Sequence, residues 1–440
     1  KKKKILLLSD DLRLYSGIGT MSKEIVLNTC DQYDWVQLGA AIKHPESGKT
    51  FDVSGDVVKE TGVKDAYCKI YACDGYGNPQ ILQQIIDIEK PDAIMHFTDP
   101  RFWGWNEPFY ESCDLLLNIS RQTNNIVKNV LQKFPKEDWA VQYVPHGCNE
   151  ASYFPINALH PIAPEFDKWS TAFKAHHDVN FVIFWNNRNI RRKQPADLIL
   201  AYKTFCDKLP KEKSKKCILI LKTQASDDNG TDLVAVINAL CPEYKVYIHD
   251  ANIANKEMNF FYNMADVTAN IASNEGFGIS WCESLHTATP IINNVTGGLQ
   301  DGCRFEDENG KWVEFTTEFP TNHDGTYRNH GEWVYPIYPS NRSIQGSPLT
   351  PYIFDDRADF RDVAEGMLYW YEMDKQERLE KGRTGYEWVK GDESNMSARR
   401  MGIRFIDCID KCFKEWTPRK RFTLFNTNEI DLRIKNTGVI

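Results

Sequence analysis

The feature that most limits how this chain can fold is a set of short apolar runs that do not alternate. Ile5-Leu6-Leu7-Leu8, Phe181-Val182-Ile183-Phe184-Trp185 and Cys217-Ile218-Leu219-Ile220-Leu221 present no polar face. A strand that is apolar on both sides must be covered on both sides, which happens in parallel sheets flanked by helices. The alternation of such strands with helical segments runs over the first 150 residues, fades over 155–178, and begins again at Phe181. A pattern that restarts implies two similar α/β domains. The length of 440 residues agrees, since a single core seldom grows beyond about 250–300 residues.

In the first half the spacing predicts strands over 4–9, 35–38, 93–97, 115–120 and 141–144, with helices over 21–30, 79–89 and 123–134. Residues 155–178, with several Pro and His and mixed charge, read as a linker. The second half reads as strands over 181–185, 217–221, 245–248, 267–271 and 291–292, alternating with helices over 196–209, 232–240 and 256–264. Residues 305–353, rich in Trp, Tyr, Pro, Gly and Asn, read as an insertion with few helical signals, and helices resume over 360–373, 375–385 and 398–416.

Composition narrows the function. The 42% hydrophobic and 26% charged fractions are those of an ordinary globular protein, and a net charge of −8 argues against a dedicated nucleic-acid coat. No apolar run approaches the ~20 residues that span a bilayer. Lys1 to Lys4 followed by four apolar residues is too short for a secretory leader, so the expected location is cytoplasmic. The 12 cysteines are scattered, without Cys-x-x-Cys pairs or His/Cys spacing for zinc, which implies a reducing compartment and no structural metal.

The chemistry concentrates in 274–298. Glu275 and Glu283 flank the glycine turn Gly276-Phe277-Gly278, and a short helix follows from about Ile279. Glycines bare backbone N–H groups at a helix start, which attracts anions. Upstream, Arg188, Arg191, Arg192 and Lys193 follow the strand 181–185 and suit a diphosphate. Cations for a diphosphate and carboxylates for hydroxyls are together the needs of a sugar nucleotide. In the first half, Gly17-Ile18-Gly19 follows a strand and precedes a helix, a phosphate-binding arrangement in which Ser22 replaces the third glycine of a dinucleotide fingerprint. Ser47-Gly48-Lys49-Thr50 lacks the leading P-loop glycine, because position 43 is Lys43. His96 and Asp99, at the carboxyl end of a predicted strand, are candidates for a catalytic crevice, with a packed core histidine as the alternative for His96.

These residues carry a resemblance. Glu275-Gly-Phe-Gly-Ile-Ser-Trp-Cys-Glu283 resembles the Glu-x7-Glu signature of family-4 glycosyltransferases with the GT-B fold. Phe260 to Asp266, Thr289-Pro290 with Gly297-Gly298, Arg188 with Lys193, and Tyr143 to Asn149 resemble that family's other motifs in the same order. Residues 9–22 and 42–49 also look like glycosyltransferases of marine T4-like bacteriophages. The resemblance implies an α/β chain of two Rossmann-like, doubly wound domains facing a central cleft. These would be an acceptor-side domain over 1–158, a nucleotide-sugar domain over 159–395, and a segment 396–440 that crosses back to the first. It implies metal-independent, retaining transfer with no cofactor beyond the donor, a nucleoside-diphosphate sugar, UDP-linked by expectation. Arg188 and Lys193 would hold the diphosphate, Glu283 the ribose, and Glu275, Phe277, Gly278 and Ile279 the sugar. Gly17 and Gly19 would admit the phosphates from the other domain, and His96 and Asp99 would stand on the catalytic side. The family has a further strand between 97 and 115, so residues are expected to be absent near 103–107. The expected acceptor is a glycan or a hydroxymethylated base of phage DNA, in which case the location is the host cytoplasm. Two other classes fit the same architecture, a sugar-nucleotide epimerase (or, less well, a nicotinamide oxidoreductase) and a nucleotide-sugar-binding protein without catalysis.

Overall fold

The computed structural model describes residues 1–41, 43–75, 78–97, 107–316, 319, 321–347 and 350–418. The first apolar run forms β1 (Lys3–Asp10), parallel to β2 (Tyr33–Ala41) with Ile5 opposite Trp35. Short β3 (Thr50–Asp52) runs antiparallel to β4 (Cys68–Asp74), and β5 (Ala93–His96) pairs with the other edge of β1. The sheet order is β3-β4-β2-β1-β5. The segment 50–74, including helix Ser54–Thr61, carries no signal in the sequence reading. The reason is visible in β4, where Lys69 and Tyr71 interrupt the apolar run to bond Glu89 at 2.8 and 2.6 Å. Two further strands, β6 (Leu116–Asn118) and β7 (Val141–Tyr143), form a separate parallel pair. Residues 98–106, which hold Asp99 and most of the expected gap near 103–107, lie outside the described residues.

The second sheet contains β8 (Phe181–Asn186), β9 (Cys217–Lys222), β10 (Val246–His249), β11 (Val267–Asn270), β12 (Ile291–Asn294) and β13 (Val334–Ile337). All pairs are parallel, in the order β10-β9-β8-β11-β12-β13. Strand order reverses between β8 and β11, and at such a reversal the loops leaving the carboxyl ends diverge and open a crevice. On one face Tyr202, Phe205 and Trp370 from helices Pro195–Lys208 and Phe360–Glu372 join the β-strand side chains in one buried cluster. On the other, Met258, Phe261 and Tyr262 of helix Asn255–Met264 pack against Val182 and Phe184.

Residues 155–178 are not simply a linker. They contain helix Ala163–His177, whose Phe166, Trp169 and Phe173 pack beside Phe260 and Phe261. Pro164 lies in its first turn, where a missing N–H costs nothing, and the charged residues that suggest a linker lie on its outer side. The aromatic stretch 305–353 supplies β13 and a hairpin of β14 (Asn341–Ser347) and β15 (Thr350–Arg357), with Ile344 opposite Phe354. Its Trp312 and Trp333 are core, and Trp333 stacks on Trp388 at 4.9 Å.

The two sheets are tied at three places. Helix Ala398–Glu415 inserts Met401, Phe405 and Ile409 among Ile5, Tyr33 and Trp35 of the first sheet's core. Cys148 exchanges backbone hydrogen bonds of 2.8 Å with Met396 and Ala398, and a Cβ on Gly147 would stand 2.3 Å from the Ser397 carbonyl oxygen. Helix Arg121–Val130 points its N-terminus at Asp301, which accepts from the Arg121 N–H at 3.1 Å and the Tyr143 hydroxyl at 2.9 Å. Among the described residues no helix is long and apolar enough to cross a membrane.

Candidate active site

The crevice between β8 and β11 is built from their two carboxyl-end loops. The loop 187–194 divides its cations. Lys193 and Arg192 turn inward onto one carboxylate, Glu275. Arg192 Nη1 lies 2.9 Å from Glu275 Oε2 and 3.0 Å from the Asn274 carbonyl oxygen, and the Lys193 ammonium meets the same Oε2. Lys193 also donates to Asn187 Oδ1 at 2.7 Å, while the buried Asn187 Nδ2 has no partner among the described residues. Two cations around one carboxylate leave the spot net positive, with an amide donor beside it. That arrangement can accept an anion.

Arg188 is not part of this group. Its guanidinium is exposed and bonds Asp227 at 2.8 and 3.3 Å. Arg191 is also exposed and takes no part either, so of the expected diphosphate pair only Lys193 stands at the crevice in this conformation. Asn187, which stands where the related motif has glycine, and Arg192 join it instead. The basic run 188–193 gave their vicinity, but not which side chain turns inward.

The glycine turn is placed as the sequence implies. Gly278 has φ 81° and ψ 61°, a left-handed conformation, and caps helix Ile279–His286. A Cβ there would meet Leu299 at 2.5 Å. Gly297 and Gly298 press backbone to backbone on the same turn, and the Gly298 N–H donates to the Glu275 carbonyl at 2.9 Å. A Cβ on either would fall 2.2–2.3 Å from a carbonyl oxygen of Glu275 or Gly276. This pair therefore fixes the height of the Glu275 turn. Phe277 is buried and meets His146 edge-on at 5.1 Å, and His146 meets Phe97 at 5.6 Å, an aromatic bridge from the turn to the first sheet.

Glu283, one turn into the helix, is buried. Its Oε2 accepts from the Tyr262 hydroxyl at 2.5 Å and from Asn186 Nδ2 at 3.4 Å. Burial pushes its carboxyl above the ordinary range, and the bonds from Tyr262, Tyr153 and Asn186 pull back only in part. Tyr262 lies in the lead-in Phe260 to Asp266 and is a site residue that sequence reasoning names without assigning it a role.

From the first sheet, helix Gly17–Leu27 begins at the glycine loop itself, four residues earlier than its apolar spacing predicts. Ser16 caps it by accepting from the Gly19 N–H at 2.9 Å. Gly19 is held between the Leu14 and Asp11 carbonyls, where a Cβ would come within 2.9 Å, whereas Gly17 is open. Gly19 thus serves the turn, and Gly17 leaves room for close approach. His96 is exposed at the end of β5, edge-on to Phe109 at 5.8 Å, so it is not a packed core histidine. The structure adds a cluster that the sequence reading does not single out. Asp11, fully buried, accepts from Arg13 at 2.7 Å and contacts His44 Nε2 at 3.2 Å. Burial alone would raise the Asp11 carboxyl, but the bonds from Arg13 and His44 outweigh it and hold it low. Among the described residues no group of three or more His, Cys, Asp or Glu side chains comes together as metal ligands would.

No family model matches the chain. No curated protein matches it in sequence either. Solved structures do match in three dimensions. A glycosyltransferase from Rickettsia africae is 14% identical with a TM-score of 0.58, covering 94% of this chain and 100% of its own. HepE of Anabaena, in complex with UDP and glucose, is 12% identical with a TM-score of 0.62, covering 93% and 100%. Sucrose-phosphate synthase from Thermosynechococcus elongatus is 12% identical with a TM-score of 0.61, covering 94% and 100%. At these identities the likeness establishes the fold. The chain has the GT-B fold of these glycosyltransferases, with two Rossmann-like units.

Proposed function

We propose that this protein is a glycosyltransferase that takes a sugar from a UDP-linked donor and passes it, with retention, to an acceptor hydroxyl. The observation that carries the reading is the group Lys193, Arg192, Asn187 and Glu275 at the β8–β11 reversal, where cations and a hydroxyl-accepting carboxylate share one crevice. The similar fold of HepE, whose crystals hold UDP and glucose, supports a nucleotide-sugar donor. In this reading the diphosphate takes Lys193 and Asn187, and Arg188 leaves Asp227 to join them. Glu275, released from Lys193, accepts the sugar hydroxyls over the Phe277-Gly278-Ile279 backbone, and Glu283 accepts the ribose. Gly17 lets the first helix N-terminus approach the phosphates. The bond from the anomeric carbon to the diphosphate breaks, the acceptor oxygen bonds to that carbon from the same face, and its proton passes to the departing phosphate oxygen. The cations stabilise the charge that develops there without a metal. The acceptor is a glycan or a hydroxymethylated DNA base met from the side of His96, and the site of action is the cytoplasm.

Titrating UDP-glucose into the whole chain tests the donor side. Binding is expected to weaken by about 10-fold or more in Lys193→Ala, the equivalent of one charge-assisted hydrogen bond. Absence of binding to every nucleotide sugar would overturn the reading. A labelled-donor screen against glycans and hydroxymethylated DNA then separates the two acceptor classes.

A further inference from the structure

A cavity of about 420 Å³ lies beside the 187–194 loop. Its walls come from residues 189–192 and 194–197, Gly230-Thr231, Asn274 and the hairpin residues Gln345, Ile353, Asp355 and Arg357, so it adjoins the crevice at Arg192 and Asn274, while Lys193, Asn187 and Glu275 are not among its lining. The N-terminus of the 14-residue helix Pro195–Lys208 forms part of its lining and has no side-chain cap. Pro195 has no N–H, and the N–H groups of Ala196 and Asp197 have no backbone partner among the described residues. Those orphan donors carry the positive end of the helix dipole. Arg191 reaches the same cavity, exposed and without a side-chain partner among the described residues. Arg192 and Arg357 also line it, each already paired with a carboxylate, Glu275 and Asp197 respectively. The opposing carboxylates are occupied: Asp197 pairs with Arg357 at 2.5 Å, and Asp355 accepts from Ser273 and Asn274 at 3.0 and 2.7 Å. An independent observation points to a ligand with a donor group. Gln194, only 6% exposed, lines the cavity, and its Oε1 has no hydrogen-bond partner among the described residues.

We propose that this cavity, beside the donor crevice and apart from the residues assigned to the diphosphate, is a binding site for a phosphomonoester that carries hydroxyl groups. The phosphate, with up to two negative charges and three acceptor oxygens, meets the Ala196 and Asp197 N–H groups and the Arg191 guanidinium. A neighbouring hydroxyl donates to Gln194 Oε1, which a bare carboxylate or halide could not satisfy. The proposal stands whether or not the crevice transfers sugar.

Glucose 6-phosphate is the probe, titrated calorimetrically into the whole chain with and without saturating UDP. Saturable binding to one site is expected, unchanged within about twofold by UDP and weakened at least tenfold by Arg191→Glu, a variant that breaks no existing contact. Inorganic phosphate should bind more weakly, and glucose should not bind. Lack of saturable binding, an unchanged affinity in Arg191→Glu, displacement by UDP, or equal binding of glucose would each overturn the proposal.

Discussion

Replacing Asp301 by Asn isolates one buried carboxylate at the seam between the two sheets. Asp301 sits beneath the N-terminus of helix Arg121–Val130 and accepts from the Arg121 N–H and the Tyr143 hydroxyl. Burial pushes its carboxyl from 3.8 up to about 7, against the pull of Arg121 and Tyr143. A carboxyl with a raised pKa in the folded state contributes stability that is fully present at low pH. That stability is lost as pH rises through about 7, because the unfolded chain ionises first. Between pH 5 and pH 8 the loss is roughly 3 kcal/mol, at about 1.4 kcal/mol per pH unit up to the folded pKa. The amide that replaces the carboxyl keeps one acceptor and does not titrate. The melting midpoint of wild type minus that of Asp301→Asn should therefore fall by roughly 6–12 °C over that range, taking about 2–4 °C per kcal/mol for a domain of this size. Scanning calorimetry of both proteins at pH 5, 6, 7 and 8 reads the difference, and every other titrating group cancels in it. A difference that stays flat with pH would refute the account of a desolvated, proton-holding Asp301.

Three further outcomes follow from the same geometry. Glu275→Gln removes the charge that Arg192 and Lys193 share; kcat/KM with a donor sugar should fall about 10–150-fold, or roughly 1.5–3 kcal/mol, with a smaller effect on melting. Full activity in that variant would remove Glu275 from the site. Gly298→Ala sets a methyl group 2.3 Å from the Gly276 carbonyl oxygen, backbone against backbone, and should cost about 1–3 kcal/mol in denaturation while weakening UDP binding. Unaltered binding would mean that the turn does not depend on this contact. Arg378→Met breaks a buried pair with Asp266 at 2.7 Å, and a loss of about 3–5 kcal/mol is expected with UDP affinity retained in the folded protein.

Much of the fold is legible in the sequence because it rests on local patterns. Two-faced apolar runs give the parallel strands β1, β8 and β9, and helix Pro79–Glu89 begins and ends where its proline and spacing put it. Elements whose polar side chains find distant partners are not legible. β4 is hidden by Lys69 and Tyr71, which are satisfied by Glu89, and helix Ala163–His177 is hidden by charges that lie outside a buried aromatic edge.

The site divides along the same line. The sequence by itself determined the glycine turn, the two glutamates and the basic loop, because a left-handed residue and a helix start are local backbone requirements that only certain residues meet. Only the tertiary structure decided which cation turns inward. Arg188 and Lys193 are five positions apart on one irregular loop, and no periodicity fixes their directions; a carboxylate from another segment does, Asp227 drawing one out and Glu275 drawing the other in. The structure likewise decided that Glu283 is buried under Tyr262, that Arg191 faces a second cavity, and that Asp301 closes the seam. Each of these depends on a contact between residues far apart in the chain, which is set by the packing of whole elements rather than by any local stretch.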